Sequence, residues 1–204
     1  LRQDSFRRNE VSKSIGEMGK DLRICDMQCA HLIDVDVPYV EGAKLFYQRP
    51  YKDDRGTFMR MFCERELNEL GFRAKQVNLS ETTRVGAIRG LHYQEGLAKL
   101  VYCLAGEVFD VVLDVRDGSS TFGQHARYRL VPGQYALYVP PGCAHGFQTI
   151  QAPAVMLYFY SDFYEDHKEL GIRYNDPKFT IQWPNMVTLV SDKDSSWPLW
   201  GDTQ

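Results

Sequence analysis

The stretch EVFDVVLDVRD, Glu107 to Asp117, reads with a period of two: Phe109, Val111 and Leu113 interleave with Val108, Asp110, Val112 and Asp114. Such a period, in β-branched and aromatic residues with acids on one side, marks a strand rather than a helix. The same texture recurs from Ala43 onward, in LFYQRPY, TFMRMF, KQVNLS, GAIRGLHYQ, KLVYCLAGEVFDVVLDV, HARYRLV, QYALYVP, HGFQTI and AVMLYFY. Between these runs stand DDRG, DGSS, VPGQ and PPG, whose Gly, Pro, Asp and Ser residues make turns. Eight or more strands so spaced predict an all-β fold, a double-sheet jelly roll or barrel with a few short helices.

Among jelly rolls, the cupin arrangement is the expected architecture. The clearest helix before the long strands is short, ERELNELG, with Gly71 as its C-cap. Residues 1–31 are polar and charged and read as an N-terminal extension or arm; residues 32–204 read as a single domain. After Tyr164 the pattern loosens into an ordered but irregular tail, including IQWPNMVTLVSDKDSSWPLW.

The 24 basic and 27 acidic residues leave a net charge of −3, which supplies no field for a polyanion. With no basic stripe and no nucleic-acid-binding motif, a nucleic-acid partner is not expected. No apolar run approaches the ~18 residues of a membrane span, and no secretory leader is seen, so a cytoplasmic protein is expected. The five cysteines show no disulfide framework and read as reduced thiols. Cys25 and Cys29 could open a zinc site, but no second pair answers them.

Two histidines break into apolar, strand-like sequence: His92 in GAIRGLHYQ and His145 in VPPGCAHGF. Buried imidazoles need partners, and near neutral pH a partnered imidazole can serve as a base. His92 is the better candidate, its structural alternative being a core histidine satisfied by backbone; for His145, locking a turn is as good a reading as catalysis. His31, His125 and His167 lie in polar segments and read as solvated. Lys99 opens an apolar strand; it could stabilise a developing oxyanion, although a strand-end lysine ordinarily snorkels to solvent. Arg55 and Arg89 could clamp phosphate through their forked donors. Tyr158 and Tyr160 alternate along AVMLYFY and share a face, either as core residues or with a hydroxyl able to donate a proton. A metal centre is not expected, because cupin sites use closely grouped histidines and this chain offers one in LHYQ.

The segments DDRGTF, QVNLS, RGLHYQ, AKLVYCLAGEVFDVVLDVRDGSSTFG, YVPPGCAHGFQT, YNDP, IQWP and SDKD, in this order, resemble the dTDP-4-dehydrorhamnose 3,5-epimerase family from Leu45 to Pro198. The resemblance implies a metal-free, cofactor-free, usually dimeric cupin acting on a nucleotide-diphosphate sugar, a dTDP-linked 4-keto-6-deoxyhexose. It further implies that His92 removes a proton beside the ketone, that Asp194 pairs with and orients His92, that Tyr158 delivers a proton to the opposite face, and that Lys99 stabilises the enolate. Arg55 and Arg89 would contact the diphosphate. Phe58, Gln76 and Asn78 would line the nucleotide and sugar, Tyr164 would pack on the base, and Lys193 would also contact substrate. His145 and Asp110 would stand on the inner wall near the catalytic histidine.

The chain departs from the family pattern in three places. Arg60 stands where an acid is usual, the YQEGLA stretch between His92 and Lys99 is short, and the arm before Leu32 is long. Arg60 could alter base preference or add a phosphate contact. Inversion could involve C3, C5 or both. A CDP-linked substrate, a 3,4-ketoisomerase, a non-catalytic nucleotide-sugar binder and a metal-dependent oxygenase are the competing readings.

Overall fold

A computed structural model of the chain describes residues 28–30, 39–48 and 50–202. Most of the extension read over residues 1–31 lies outside these, as do Cys25 and His31. The described strands are β1 (Gln28–Ala30), β2 (Lys44–Tyr47), β3 (Tyr51–Asp53), β4 (Gly56–Phe58), β5 (Gln76–Thr82), β6 (Ala87–Tyr93), β7 (Lys99–Asp114), β8 (His125–Leu130), β9 (Tyr135–Val139), β10 (Cys143–Tyr160), β11 (Leu170–Gly171) and β12 (Leu189–Val190). Two short helices are α1 (Glu64–Leu67), continued by a 3-10 turn to Leu70 and closed by Gly71 as expected, and α2 (Asp192–Ser195). No described helix is long and apolar enough to cross a membrane.

Ten strands join in one hydrogen-bonded path, β1-β2-β9-β7-β10-β6-β11, with β5 on β10, β8 on β7 and β12 on β6. The two longest strands each serve two sheets. Lys99–Tyr102 of β7 pair with β9, whereas Val108–Leu113 pair with β8. In β10, Ala154–Tyr160 pair with β5, while His145–Gln148 pair with β6. The change of partner falls at Gly106 and at register shifts between Thr149 and Met156. Gly106 adopts φ +70, and a Cβ there would run into the backbone of Gln151 and Pro153, so only glycine lets the strands cross at the bend. The run KLVYCLAGEVFDVVLDV, read as one strand-like segment, is thus continuous in chain but divided between the two sheets of a jelly roll.

Alternation assigns the core to three layers. Val101, Val108, Val112, Leu137, Phe147 and Met156 pack in the cluster between the sheets. On the outer face of the first sheet, Leu67 and Phe72 from the α1 region cover Leu100, Tyr102 and Tyr138. The C-terminal segment covers the outer face of the second: Ile172, Phe179, Trp183 and Trp200 pack with Leu91, Val111 and Leu113. Leu100 is fully buried, and its truncation to alanine would cost about 2–5 kcal/mol. The inward positions left over from the apolar layer carry Lys99, Asp110, His145 and Tyr158, and these create a polar interior.

Candidate active site

His92 and Arg89 are three apart on β6, a spacing that would put them on opposite faces of a regular strand. A bulge changes this. His92 lies opposite His145, and Arg89 lies opposite Phe147, so three residues of β6 match two of β10 and both side chains turn to the inner face. Gly90 sits in the bulge at φ +118; a Cβ there would stand 2.6 Å from the Gly146 Cα. Leu91 is carried outward into the second sheet's apolar cover.

The bulge also aims a backbone donor. The Gly90 N–H donates to Asp194 Oδ2 at 3.0 Å, and Asp194 Oδ1 lies 2.6 Å from His92 Nε2. Asp194 belongs to α2, whose start is capped by Ser191: the Asp194 N–H donates to its Oγ at 3.1 Å. The preceding β12 runs parallel to β6 and brings α2 alongside it. Burial opposes ionisation of Asp194, but the His92 hydrogen bond and the Gly90 N–H outweigh it and hold the carboxyl below its ordinary range. An ionised carboxylate only accepts, so Nε2 carries the proton in neutral His92 and the lone pair is left on Nδ1. Glu169 Oε1 stands 3.7 Å from Nδ1.

Lys99 does not snorkel to solvent; it is 5% exposed, and its Nζ donates to the His92 carbonyl at 3.2 Å. The inward parity of β7 at this position outweighs the length of the side chain. Burial pushes its ammonium down to about 8, against the attraction of Glu169 and Asp110. Asp110 is fully buried, with His145 Nε2 2.9 Å from one oxygen and 3.0 Å from the other. Burial drives its carboxyl upward, partly offset by His145 and Lys99.

From the other sheet, Tyr158 shares a 3.1 Å hydrogen bond with Ser80 Oγ and meets the His145 ring edge-on at 6.5 Å. Burial raises its phenol far above the ordinary value, so it stays protonated. Tyr160 stacks beside it at 6.2 Å, as the alternation of AVMLYFY predicts. On β5, the Gln76 amide donates to Asn78 Oδ1 at 3.2 Å, and Gln76 Oε1 accepts the Tyr164 N–H at 2.8 Å. Tyr164 meets Tyr160 edge-on at 6.0 Å. These side chains thus join one connected cluster.

Of the other expected positions, those on the β3–β4 hairpin stand apart from it. Arg55 is paired with Asp53 within the β3–β4 turn and is largely exposed, and Phe58 is 74% exposed on the same hairpin. Arg60 bonds Glu66 at 2.7 Å. Arg89 is anchored to β5 through Thr82 Oγ1 and the Glu81 carbonyl. Lys193 donates to Glu169, as does the Tyr164 hydroxyl. Glu169, which sequence reading passed over, therefore gathers Tyr164, Lys193 and His92. Trp197, also passed over, approaches the His92 ring at 6.3 Å. Both lie in the irregular tail, where no periodicity marks a residue as inward-facing; only the pairing of Gly171 with His92 reveals their position. The solvated reading fails for two other histidines. His125 is half-buried at the start of β8, and His167 Nδ1 lies 2.9 Å from the Glu95 carbonyl with Nε2 3.3 Å from Asp162.

Comparison with known proteins shows what this chain is similar to. The profile of the dTDP-4-dehydrorhamnose 3,5-epimerase family matches residues 38–202. A dTDP-4-dehydrorhamnose 3,5-epimerase of Shigella flexneri is 37% identical over 171 residues, spanning 80% of this chain and 92% of that protein. Among solved structures, a dTDP-6-deoxy-D-glucose-3,5-epimerase of Legionella pneumophila in complex with dTDP-4-keto-L-rhamnose superimposes with a TM-score of 0.75 at 37% identity, covering 85% of this chain and 92% of that one. A 3'-monoepimerase of Streptomyces bikiniensis in complex with dTDP-quinovose gives 0.72 at 32% identity, covering 78% and 84%. The fold, the length of the match and the identity together establish that this chain is an isomerase belonging to the dTDP-4-dehydrorhamnose 3,5-epimerase family.

Proposed function

We propose that the protein epimerises C3, C5 or both of a dTDP-linked 4-keto-6-deoxyhexose by proton abstraction and reprotonation. The observation that carries this reading is the His92–Asp194 pair on one sheet, with the protonated Tyr158 phenol contributed by the other. A sugar held between the sheets then meets a base and an acid from two sides. His92 Nδ1 takes the proton next to the ketone, and the imidazolium that forms is stabilised by Asp194. The electron pair moves onto the ketone oxygen as an enolate. Lys99, charged in most molecules at neutral pH because its value lies near 8, offers the fixed positive charge for that oxygen. Tyr158 then protonates the carbon from the opposite side, and the carbon is inverted.

Arg89, Gln76, Asn78, Tyr164 and Lys193 are the residues we assign to substrate binding, with His145 on the inner wall. Arg55, Phe58 and Arg60 are assigned there also, but Arg55 and Phe58 sit on an exposed hairpin. A homodimer in which the hairpin of each copy serves the other's site accounts for that exposure. The exposed Val77 and Leu79 on the outer face of β5 suit such a contact. Light scattering should give twice the chain mass; a monomer with full activity would remove the dimer from the reading. A cytoplasmic location is in keeping with the free thiols at Cys63, Cys103 and Cys143.

The deciding experiment is incubation in D2O with dTDP-4-keto-6-deoxyglucose, followed by proton NMR. Deuterium at C3 and C5 is expected for a 3,5-epimerase, and label at one carbon identifies a mono-epimerase. Absence of label at both carbons overturns the proposal.

A further inference from the structure

We propose that Trp197 is a positioning residue for His92, holding the imidazole plane and the Lys193 ammonium in place while touching no reacting atom. This rests on the epimerase reading above. Four observations converge on the indole. Its ring meets the imidazole edge-on, with centroids 6.3 Å apart and planes at 64°. The Lys193 ammonium lies 5.9 Å from its ring centroid, within reach of a cation–π attraction. The Trp197 carbonyl accepts the Arg173 Nε–H at 2.7 Å, which fixes the backbone that carries the ring. Finally, the ring lies directly on Gly171, the residue of β11 that pairs with His92 on β6. A Cβ at position 171 would run into the indole carbons and Nε1.

Gly171 lies outside the left-handed region, so backbone conformation does not demand a glycine there. What demands it is the space the indole occupies. The Trp197 Nε1–H is buried and finds no acceptor among the described residues. An unpaired buried donor is a cost to the fold, so this indole is not explained as a stabilising polar contact. Its ring instead closes one side of a frame around His92. Asp194 fixes Nε2, the Gly90 bulge fixes the backbone, and Trp197 blocks rotation of the ring edge. Nδ1 is left in one direction, and Lys193 is steered by the same surface.

Three variants test this, using the full-length protein and the D2O exchange of dTDP-4-keto-6-deoxyglucose. Wild type must exchange label; failure there sinks the epimerase reading rather than this inference. Trp197→Ala removes the wall, and Gly171→Ala displaces it without altering any side chain assigned to substrate. Each is expected to slow exchange about ten- to a hundredfold, since small misplacements of a reacting group are that costly. Binding of dTDP, measured by calorimetry, should fall far less than exchange does, because the main loss is in the orientation of His92 rather than in ground-state binding. Trp197→Phe, which keeps a ring on Gly171, should recover most of what Trp197→Ala loses. The double variant should be no worse than Trp197→Ala alone, since both changes act on one wall. Fully additive losses, a Gly171→Ala enzyme as fast as wild type, or a Phe variant as slow as the Ala variant would each overturn the inference. Thermal unfolding of each variant identifies one that has merely failed to fold, and the remaining variants then decide.

Discussion

Two histidine–aspartate pairs face one another across the β6–β10 ladder, and they differ in everything except composition. His92 and Asp194 meet at 2.6 Å, and His145 and Asp110 at 2.9 Å. His92 keeps a quarter of its side chain exposed, whereas His145 keeps 5%. Asp194 receives a backbone N–H and a capping serine as well as its histidine, and its carboxyl is held low. Asp110 turns both oxygens to one imidazole nitrogen, and burial drives its carboxyl up. A histidine–carboxylate contact alone is therefore a poor sign of a base. A base needs a carboxylate that stays ionised and a second nitrogen open to substrate; His92, its carboxyl partner held low and a quarter of its side chain exposed, meets these conditions better than His145.

The sharpest way to break the contrast is to remove each histidine. His92→Ala should reduce D2O exchange by about 10²–10⁴-fold at every carbon, the usual worth of a positioned base. His145→Ala should instead destabilise the fold by about 3 kcal/mol in denaturant unfolding, because it strands Asp110 in the interior. If His145→Ala abolishes exchange in a protein as stable as wild type, the two pairs are not distinct in role. Asp194→Asn is expected to slow exchange by about 10²-fold with dTDP binding intact, since an amide no longer stabilises the imidazolium. Tyr158→Phe should cost about 10²-fold in product formation and leave dTDP affinity unchanged; collapse of binding would make Tyr158 structural.

Smaller effects follow from ionisation. Lys99 loses its proton as pH rises through about 8, so turnover should fall across that range. Lys99→Arg should abolish that particular fall, since arginine stays charged. At acid pH the two aspartates should act in opposite directions. Asp194 has a lowered folded value, so its stabilisation is present above the ordinary carboxylate range and is lost as pH falls through the folded value. Asp110 has a raised folded value, so its ionised form penalises the fold at neutral pH, and that penalty lifts as pH falls. The stability difference between wild type and Asp194→Asn should narrow on acidification. That between wild type and Asp110→Asn should move in favour of wild type.

The strands were legible because alternation and turn chemistry are local. Phe109, Val111 and Leu113 identify their strand without reference to anything distant. The bend at Gly106 was not legible, because the collision that requires glycine there comes from Gln151 and Pro153 on another strand. Likewise the common face of Arg89 and His92 depends on a bulge that register, not composition, reveals. Asp194 entered through family resemblance alone, whereas Lys99 and Tyr158 were already candidates from their places in apolar strands; the geometry joins all three. Glu169 and Trp197 stayed hidden, since a carboxylate and an indole in aperiodic sequence carry no signal until pairing places Gly171 beside His92.

The partner of His92 lies 102 residues farther along the chain. During synthesis, the long strands β7 and β10 leave the ribosome well before Asp194 does. The proposed base thus depends on a contact that closes only when the two ends of this 102-residue span have folded together.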